Sequence, residues 1–442
     1  MHRDLMVELI RWKNAKEHMP LLLRGARQVG KTHLAVTFGQ THFENMLIIN
    51  FEKEEKYKLA FDTLNPKDIL NRLYLQSGHS VQPGKSLLFL DEIQECTQAL
   101  KSLRYFKEDM PELHVIAAGS LLEFTLNSEN MRMPVGRVES LFVKPLSFYE
   151  YLSALGFQHL RQYLNEVTLK TPIEPTAHDE LCEHLRNYFF IGGLPNVLNE
   201  YLSSHNLERV QIKQLNLAQT YRDDFGKYAN KTKHQPMKTL LSAAPNLIGK
   251  KFIYSKVDPD IGSREIKIAL NYLVEAGLLY KVHHTNASGL PLNALASEKH
   301  FKVIFLDIGL SNASSQLSPE TFLQKDLLLL NRGIQTEQFS GQELLAYCKP
   351  YIQSELFYWD REKQNSSAEV DYVINVNDHI IPIEVKAGKT GSLRSLQIFL
   401  NEKNAQLGVR LSLKPLELHS RILSIPLYMI AEIPRLVMAQ MK

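Results

Sequence analysis

Gly25-Ala26-Arg27-Gln28-Val29-Gly30-Lys31-Thr32 is the stretch whose reading decides the fold. It matches G-x-x-x-x-G-K-[ST], a loop whose glycines let backbone N–H groups turn inward around phosphate oxygens. The apolar run Leu21–Leu23 precedes it and the helical segment HLAVTF follows, so the loop joins a strand to a helix. The helix N-terminus adds partial positive charge. In this reading residues Gly25 to Thr32 cradle the phosphates of ATP. Lys31 reaches the β- and γ-phosphates, and the Thr32 hydroxyl is a ligand for Mg²⁺.

Outward from the loop, short apolar runs recur at Leu47–Phe51, Leu87–Leu90, Val115–Ala118 and Leu141–Val143. Runs of this length bounded by Gly, Asp or Asn read as buried parallel strands. Helical patterns between them give a βαβ series and an α/β fold with a doubly wound sheet over residues 1–150. The strand from Ser86 ends in Asp91-Glu92. Asp91 is placed to hold Mg²⁺, and Glu92 to orient or deprotonate an attacking water. The next strand, HVIAAGS, ends at Ser120, within reach of a γ-phosphate or its water. Transfer of a γ-phosphoryl group needs positive charge, for which Arg104 and Arg137 are the candidates. Residues 151–234 read as a helical lid, with Leu152, Leu155, Leu181, Leu185 and Tyr188 on its apolar faces.

Residues 235–312 change character. A helix from Ser263, with Ile266, Leu270 and Leu273 as its stripe, stops at Gly277. The strand LLYKVHH, a Gly/Pro loop and the strand FKVIFLD then predict a winged helix-turn-helix. Lys227, Lys231, Lys233, Lys238, Lys250, Lys251 and Lys256 lie between Asp224 and Asp258 with no acid among them, and Arg264 and Lys267 follow. Such a face can contact DNA phosphates, and winged helices also dock proteins.

Residues 313–442 end in α/β alternation. Glu369 and Asp371 share one face of a strand; Glu384 and Lys386 share one face of the next. The turn VNDH predicts a hairpin that lets those faces meet. Glu337 and Glu343 fall on the preceding helical segment. Two carboxylates and a lysine at one cleft can bind Mg²⁺ and activate water for phosphodiester hydrolysis; cross-strand ion pairs are the other reading.

The whole-chain numbers exclude other classes. Fifty-one basic and 48 acidic residues leave a net charge of +3 over 442 residues, so nucleic-acid contact must rest on local charge. Three scattered cysteines, Cys96, Cys182 and Cys348, build neither a disulfide framework nor a CxxC site. The first residues carry charges throughout, unlike a signal peptide, and no run reaches 18 apolar residues. A cytoplasmic protein without membrane association is expected.

Taken together, LLLRGARQVGKTHLA, SLLFLDEIQECTQALKSLRYFKED, HVIAAGSLLEF, GRVESLFVKPLSFYEYL and YFFIGGLPNVL resemble the P-loop domain of a bacterial and archaeal AAA+ ATPase family. FKVIFLDIGL, GIQTEQFSGQELL, SAEVDYVI and IPIEVKAGK resemble that family's C-terminal domain of unknown function, which is similar to the restriction-endonuclease-like PD-(D/E)xK fold. The resemblance implies a P-loop NTPase parallel sheet with a helical lid, then a winged helix, then a restriction-endonuclease-like α/β domain. It implies ATP and Mg²⁺ as ligands, with Gly25, Gly30, Lys31 and Thr32 in the Walker A motif and Asp91 and Glu92 in Walker B. Ser120 falls near the first sensor position. Arg137, in the family's Gly-Arg element, becomes the preferred charge-stabilising arginine. Glu337, Asp371, Glu384 and Lys386 fall on the nuclease signature, although many such domains bind without cutting. Many AAA+ proteins act as rings with arginines supplied in trans, so the resemblance leaves open both a homo-oligomer and whether Arg137 acts within its own subunit or across an interface.

Overall fold

The computed structural model describes residues 1–441 except 121, 127–135, 229–233, 315–317, 321–331, 364–365 and 388–391. All five apolar runs form strands: β1 (Leu21–Arg24), β2 (Asn45–Asn50), β3 (Ser86–Asp91), β4 (His114–Ala118) and β5 (Glu139–Phe142). They pair in parallel in the order β2-β3-β4-β1-β5. Leu21, Leu22 and Leu23 are buried, as is all of β3, because helices cover both faces. The inserted β4 puts the carboxyl ends of β1 and β3 on either side of a crevice, where open α/β sheets bind ligands.

The segment expected to be a helical lid consists of helices Phe148–Ala154, Gln158–Glu166, Pro175–Ile191, Pro195–Ser204 and Leu207–Tyr228. The first carries a reciprocal cap, with Ser147 accepting from the Glu150 N–H and Glu150 accepting from the Ser147 N–H. Beyond it stand the helices His234–Ala243 and Ser263–Glu275. Gly262 takes the N-cap position in extended conformation, one residue earlier than the sequence indicates. Gly277 has φ +71°, as its place after a helix requires.

The hairpin read as a wing is present as β6 (Leu279–Thr285) and β7 (Ala296–Phe305). It does not project alone. It forms one edge of an eight-stranded sheet with β8 (Leu356–Lys363), β9 (Ser366–Val376), β10 (His379–Val385), β11 (Gly408–Ser412), β12 (Glu417–His419) and β13 (Ile422–Pro426). The order is β12-β13-β11-β10-β9-β8-β6-β7. The cause is the parallel pairing of β6 with β8, Val282 to Leu356 through His284 to Tyr358. The β9–β10 hairpin forms as its turn predicts: Asn377 and Asp378 both have positive φ, the conformation a two-residue turn between twisted strands demands.

The halves are joined by buried polar contacts. The Phe142 N–H at edge strand β5 donates to the Pro350 carbonyl at 2.8 Å, and the Gly193 N–H donates to Asp307 Oδ2 at 2.6 Å. The Phe148 N–H reaches both oxygens of Glu343 at 3.1 Å. Burial pushes the Glu343 carboxyl up to about 8. The folded state therefore keeps a proton that the unfolded chain releases above 4.5, and stability falls as pH rises from there toward 8. Melting temperature is expected to decline over that window in the wild-type chain and to decline less in Glu343→Gln. Identical pH profiles of the two chains contradict this.

Candidate functional site

The crevice holds a cavity of about 530 Å³ whose walls include Arg27, Gln28, Gly30, Lys31, Thr32, Glu92 and Ser120. Three backbone positions in its loop require special conformation. Gly25 has φ +135°, and a Cβ there would lie 2.2 Å from the Val143 carbonyl oxygen. Gly30 has φ +95° and caps the helix Lys31–His42, while Gln28 holds φ +64° without being glycine. Strain of this kind, in a loop ending at a helix N-terminus, makes an anion cradle.

Lys31 is buried and folds back on its own loop, donating to the Gly25 carbonyl at 2.8 Å and the Ala26 carbonyl at 2.7 Å. Burial lowers its pKa to about 8, against the raising influence of Glu92 and Asp91. The ammonium thus rests on neutral acceptors, which a phosphate can replace. Thr32 Oγ1 lies 3.2 Å from both Asp91 oxygens, and Asn50 Nδ2 donates to Asp91 Oδ2 at 3.1 Å. Burial, then Glu92, raises the Asp91 carboxyl, while Thr32 and Asn50 hold it down. A hydroxyl and a carboxylate converging this way are hard oxygen donors that suit Mg²⁺.

Glu92 sits at φ +50° at the end of β3. Its Oε2 accepts from Gln94 Nε2 at 2.7 Å and from Ser120 Oγ at 3.3 Å. Ser120 is therefore beside the carboxylate that faces the cavity. Arg137 is not. It is absent from the cavity wall, and its Nε donates to Glu108 Oε1 at 3.0 Å, an oxygen that Arg104 Nε also reaches at 3.0 Å. Both arginines expected near the phosphates are drawn instead to one exposed carboxylate, whose pKa they lower.

Sequence reasoning missed several wall residues. Arg3 is buried, with Nε on Glu150 at 2.9 Å, Nη1 on the Val29 carbonyl at 2.9 Å and Nη2 on the Lys144 carbonyl at 2.7 Å. It fixes the loop from outside. Asn196 Nδ2 reaches Gln28 Oε1 at 3.4 Å from the lid, and Asn199 also lines the cavity. The GGLPN segment, residues 192–196, carries Asn196, and Asn199 follows one turn later on the helix Pro195–Ser204.

In the eight-stranded sheet the four expected residues do come together. The Val385 N–H donates to Asp371 Oδ2 at 2.7 Å, which ties the hairpin strands at the acids. Lys386 Nζ donates to Glu384 Oε1 at 2.6 Å, and Glu384 Oε2 is buried without a partner. The residue not foreseen is Lys302 on β7, 1% exposed, which pairs with Glu337 at 3.0 Å and Glu369 at 2.6 Å. Burial pushes Glu337 and Glu384 up to about 7 and raises Asp371. Among the described residues, no group of three or more His, Cys, Asp or Glu side chains is placed to hold a metal ion. Lysine ammoniums are the cations paired with these acids, Lys302 with Glu337 and Glu369 and Lys386 with Glu384. Lys231 and Lys233 of the basic stretch lie outside the described residues; Lys238, Lys250, Lys251, Lys256, Arg264 and Lys267 are exposed. Among the described residues no helix is long and apolar enough to cross a membrane.

Three family profiles match the chain: an AAA domain over residues 17–152, a domain of unknown function (DUF8612) over 182–321 and a domain of unknown function (DUF4143) over 332–430. No curated protein matches it. Among solved structures, the Walker-type ATPase of Pyrococcus abyssi is similar at 15% identity and TM-score 0.45, covering 71% of this chain and 95% of that one. The Aeropyrum pernix ORC1 protein, solved in complex with DNA, is similar at 12% identity and TM-score 0.30, with 72% and 93% covered. The Thermotoga maritima RuvB Holliday junction branch migration motor is similar at 16% identity and TM-score 0.26, with 63% and 87% covered. The chain therefore carries an AAA domain at residues 17–152 and a DUF4143 domain at residues 332–430.

Proposed function

We propose that this chain is a Mg²⁺-dependent ATPase whose C-terminal half grips a ligand without cutting it. The observation that carries the first part is the meeting of Lys31, Thr32, Asp91 and Glu92 at one cavity, at the carboxyl ends of β1 and β3. Loop N–H groups and Lys31 bind the phosphates of ATP. Thr32 and Asp91 are the residues to hold Mg²⁺, which supplies charge neutralisation at the phosphate oxygens when bound. Glu92 takes the attacking water as hydrogen-bond partner and receives its proton, as the bond from water oxygen to phosphorus forms and the bond to ADP breaks. Ser120 holds Glu92 in that role.

What supports a non-cutting C-terminal domain is the engagement of Glu337 and Glu369 by Lys302, and of Glu384 by Lys386. The exposed lysines and arginine between 238 and 267 favour DNA as the ligand over a protein. Incubation with supercoiled plasmid and linear single-stranded DNA, with Mg²⁺ or Mn²⁺ and with or without ATP, tests this. The expected result is salt-sensitive DNA retention without nicking, the same in wild type and Asp371→Ala/Lys386→Ala. Nicking by wild type alone assigns cutting to the C-terminal site and overturns the reading.

A further inference from the structure

The ATPase reading leaves one requirement unmet: the positive charge that Arg137 was expected to bring. Arg3 does not meet it either, because all three guanidinium nitrogens are occupied by Glu150, Val29 and Lys144. Arg27 is the remaining arginine of the cavity wall. It lies within the phosphate loop itself, two residues after Gly25. Its guanidinium interacts electrostatically with Glu92 and, as a like charge, with Lys31, so it shares their side of the cavity.

Asp224 fixes its direction. Arg27 Nη1 lies 2.6 Å from both Asp224 oxygens, and the Asp224 side chain is 8% exposed. One turn earlier on the same helix, Tyr221 Oη donates to the Arg27 carbonyl at 2.8 Å. The helix Leu207–Tyr228 thus clamps this residue at both its backbone and its side chain. Among the described residues, the Nε and Nη2 of Arg27 have no protein hydrogen-bond acceptor, which leaves one edge of a planar, permanently charged fork for phosphate oxygens.

We propose that Arg27 is the arginine that stabilises the charge developing during ATP hydrolysis, and that Asp224 is the positioning residue that aims it. The inference rests on the ATPase reading and deepens it. It also places the helix Leu207–Tyr228, which leads toward the C-terminal half, in direct contact with the phosphate site.

The test is steady-state hydrolysis of Mg²⁺-ATP together with binding of a methylanthraniloyl-labelled ATP, for wild type, Lys31→Ala, Arg27→Ala, Arg27→Lys, Asp224→Asn and Arg27→Ala/Asp224→Asn. Removing one donor to a developing oxyanion costs about 100-fold in kcat, and that loss is expected for Arg27→Ala with labelled-ATP affinity within about fivefold of wild type. Arg27→Lys keeps the charge but loses the fork, so it falls between. Asp224→Asn is expected to lower kcat about tenfold in the wild-type background with labelled-ATP affinity and melting temperature unchanged, which a merely structural role does not produce, and to have no further effect on kcat beside Arg27→Ala. Wild-type kcat in Arg27→Ala overturns the proposal, as does full additivity in the double variant. If Arg27→Ala does not fold, wild-type kcat in Arg27→Lys overturns it. Should Arg27→Ala match wild type while Lys31→Ala is inactive, only this inference falls. If wild type turns over no ATP, the ATPase reading falls with it.

Discussion

Lys31→Ala is expected to bind ATP at least about 100-fold more weakly than wild type and to show no measurable turnover. Hydrogen bonds to charged groups contribute about 1.5–3 kcal/mol each, and the ammonium offers the β- and γ-phosphates at least two. Their loss corresponds to about 100-fold or more in affinity. The variant is expected to stay folded. Wild-type Lys31 is a buried cation whose pKa burial lowers to about 8, and its two acceptors, the Gly25 and Ala26 carbonyls, belong to a loop that water enters when the side chain is removed. Titration with labelled ATP, beside a melting curve, separates lost binding from lost fold. Undiminished binding by a folded Lys31→Ala chain removes the phosphate-loop assignment.

Glu92→Gln is expected to separate binding from chemistry. The amide has the same shape, and its oxygen can still accept from Gln94 Nε2 and Ser120 Oγ, so the strained turn at φ +50° keeps its contacts. It cannot accept a proton from water. A lost general base costs about 100- to 10,000-fold in rate, whereas ATP affinity is expected to stay within about twofold. Single-turnover hydrolysis and equilibrium binding measure the two. If affinity collapses along with rate, Glu92 holds the loop or a metal rather than the water.

The parts of this structure that were legible from residues alone are those with local causes. The five strands follow from short apolar runs, the phosphate loop from glycines at fixed spacing, and the β9–β10 hairpin from Asn377-Asp378. Asp91, Glu92 and Ser120 follow because each ends a strand of the same sheet. What sequence did not carry were partners set only by the fold. Arg3 meets Glu150 across 147 positions, Arg27 meets Asp224 across 197, and Lys302 meets Glu337 across 35, with no pattern at either end to announce the pairing. The wing misled for a related reason: the alternation in β6 and β7 is the same in a free hairpin as in a sheet edge, and only the pairing with β8 decides between them. Arg137 stands out by its motif, and within this chain it pairs with Glu108 and does not line the cavity.

Phosphate release from ATP by the full wild-type chain, measured with Mg²⁺ and again with EDTA, is expected to show steady turnover that disappears on chelation and returns when Mg²⁺ is restored. No release at any Mg²⁺ concentration, from protein that demonstrably binds ATP, contradicts the ATPase reading.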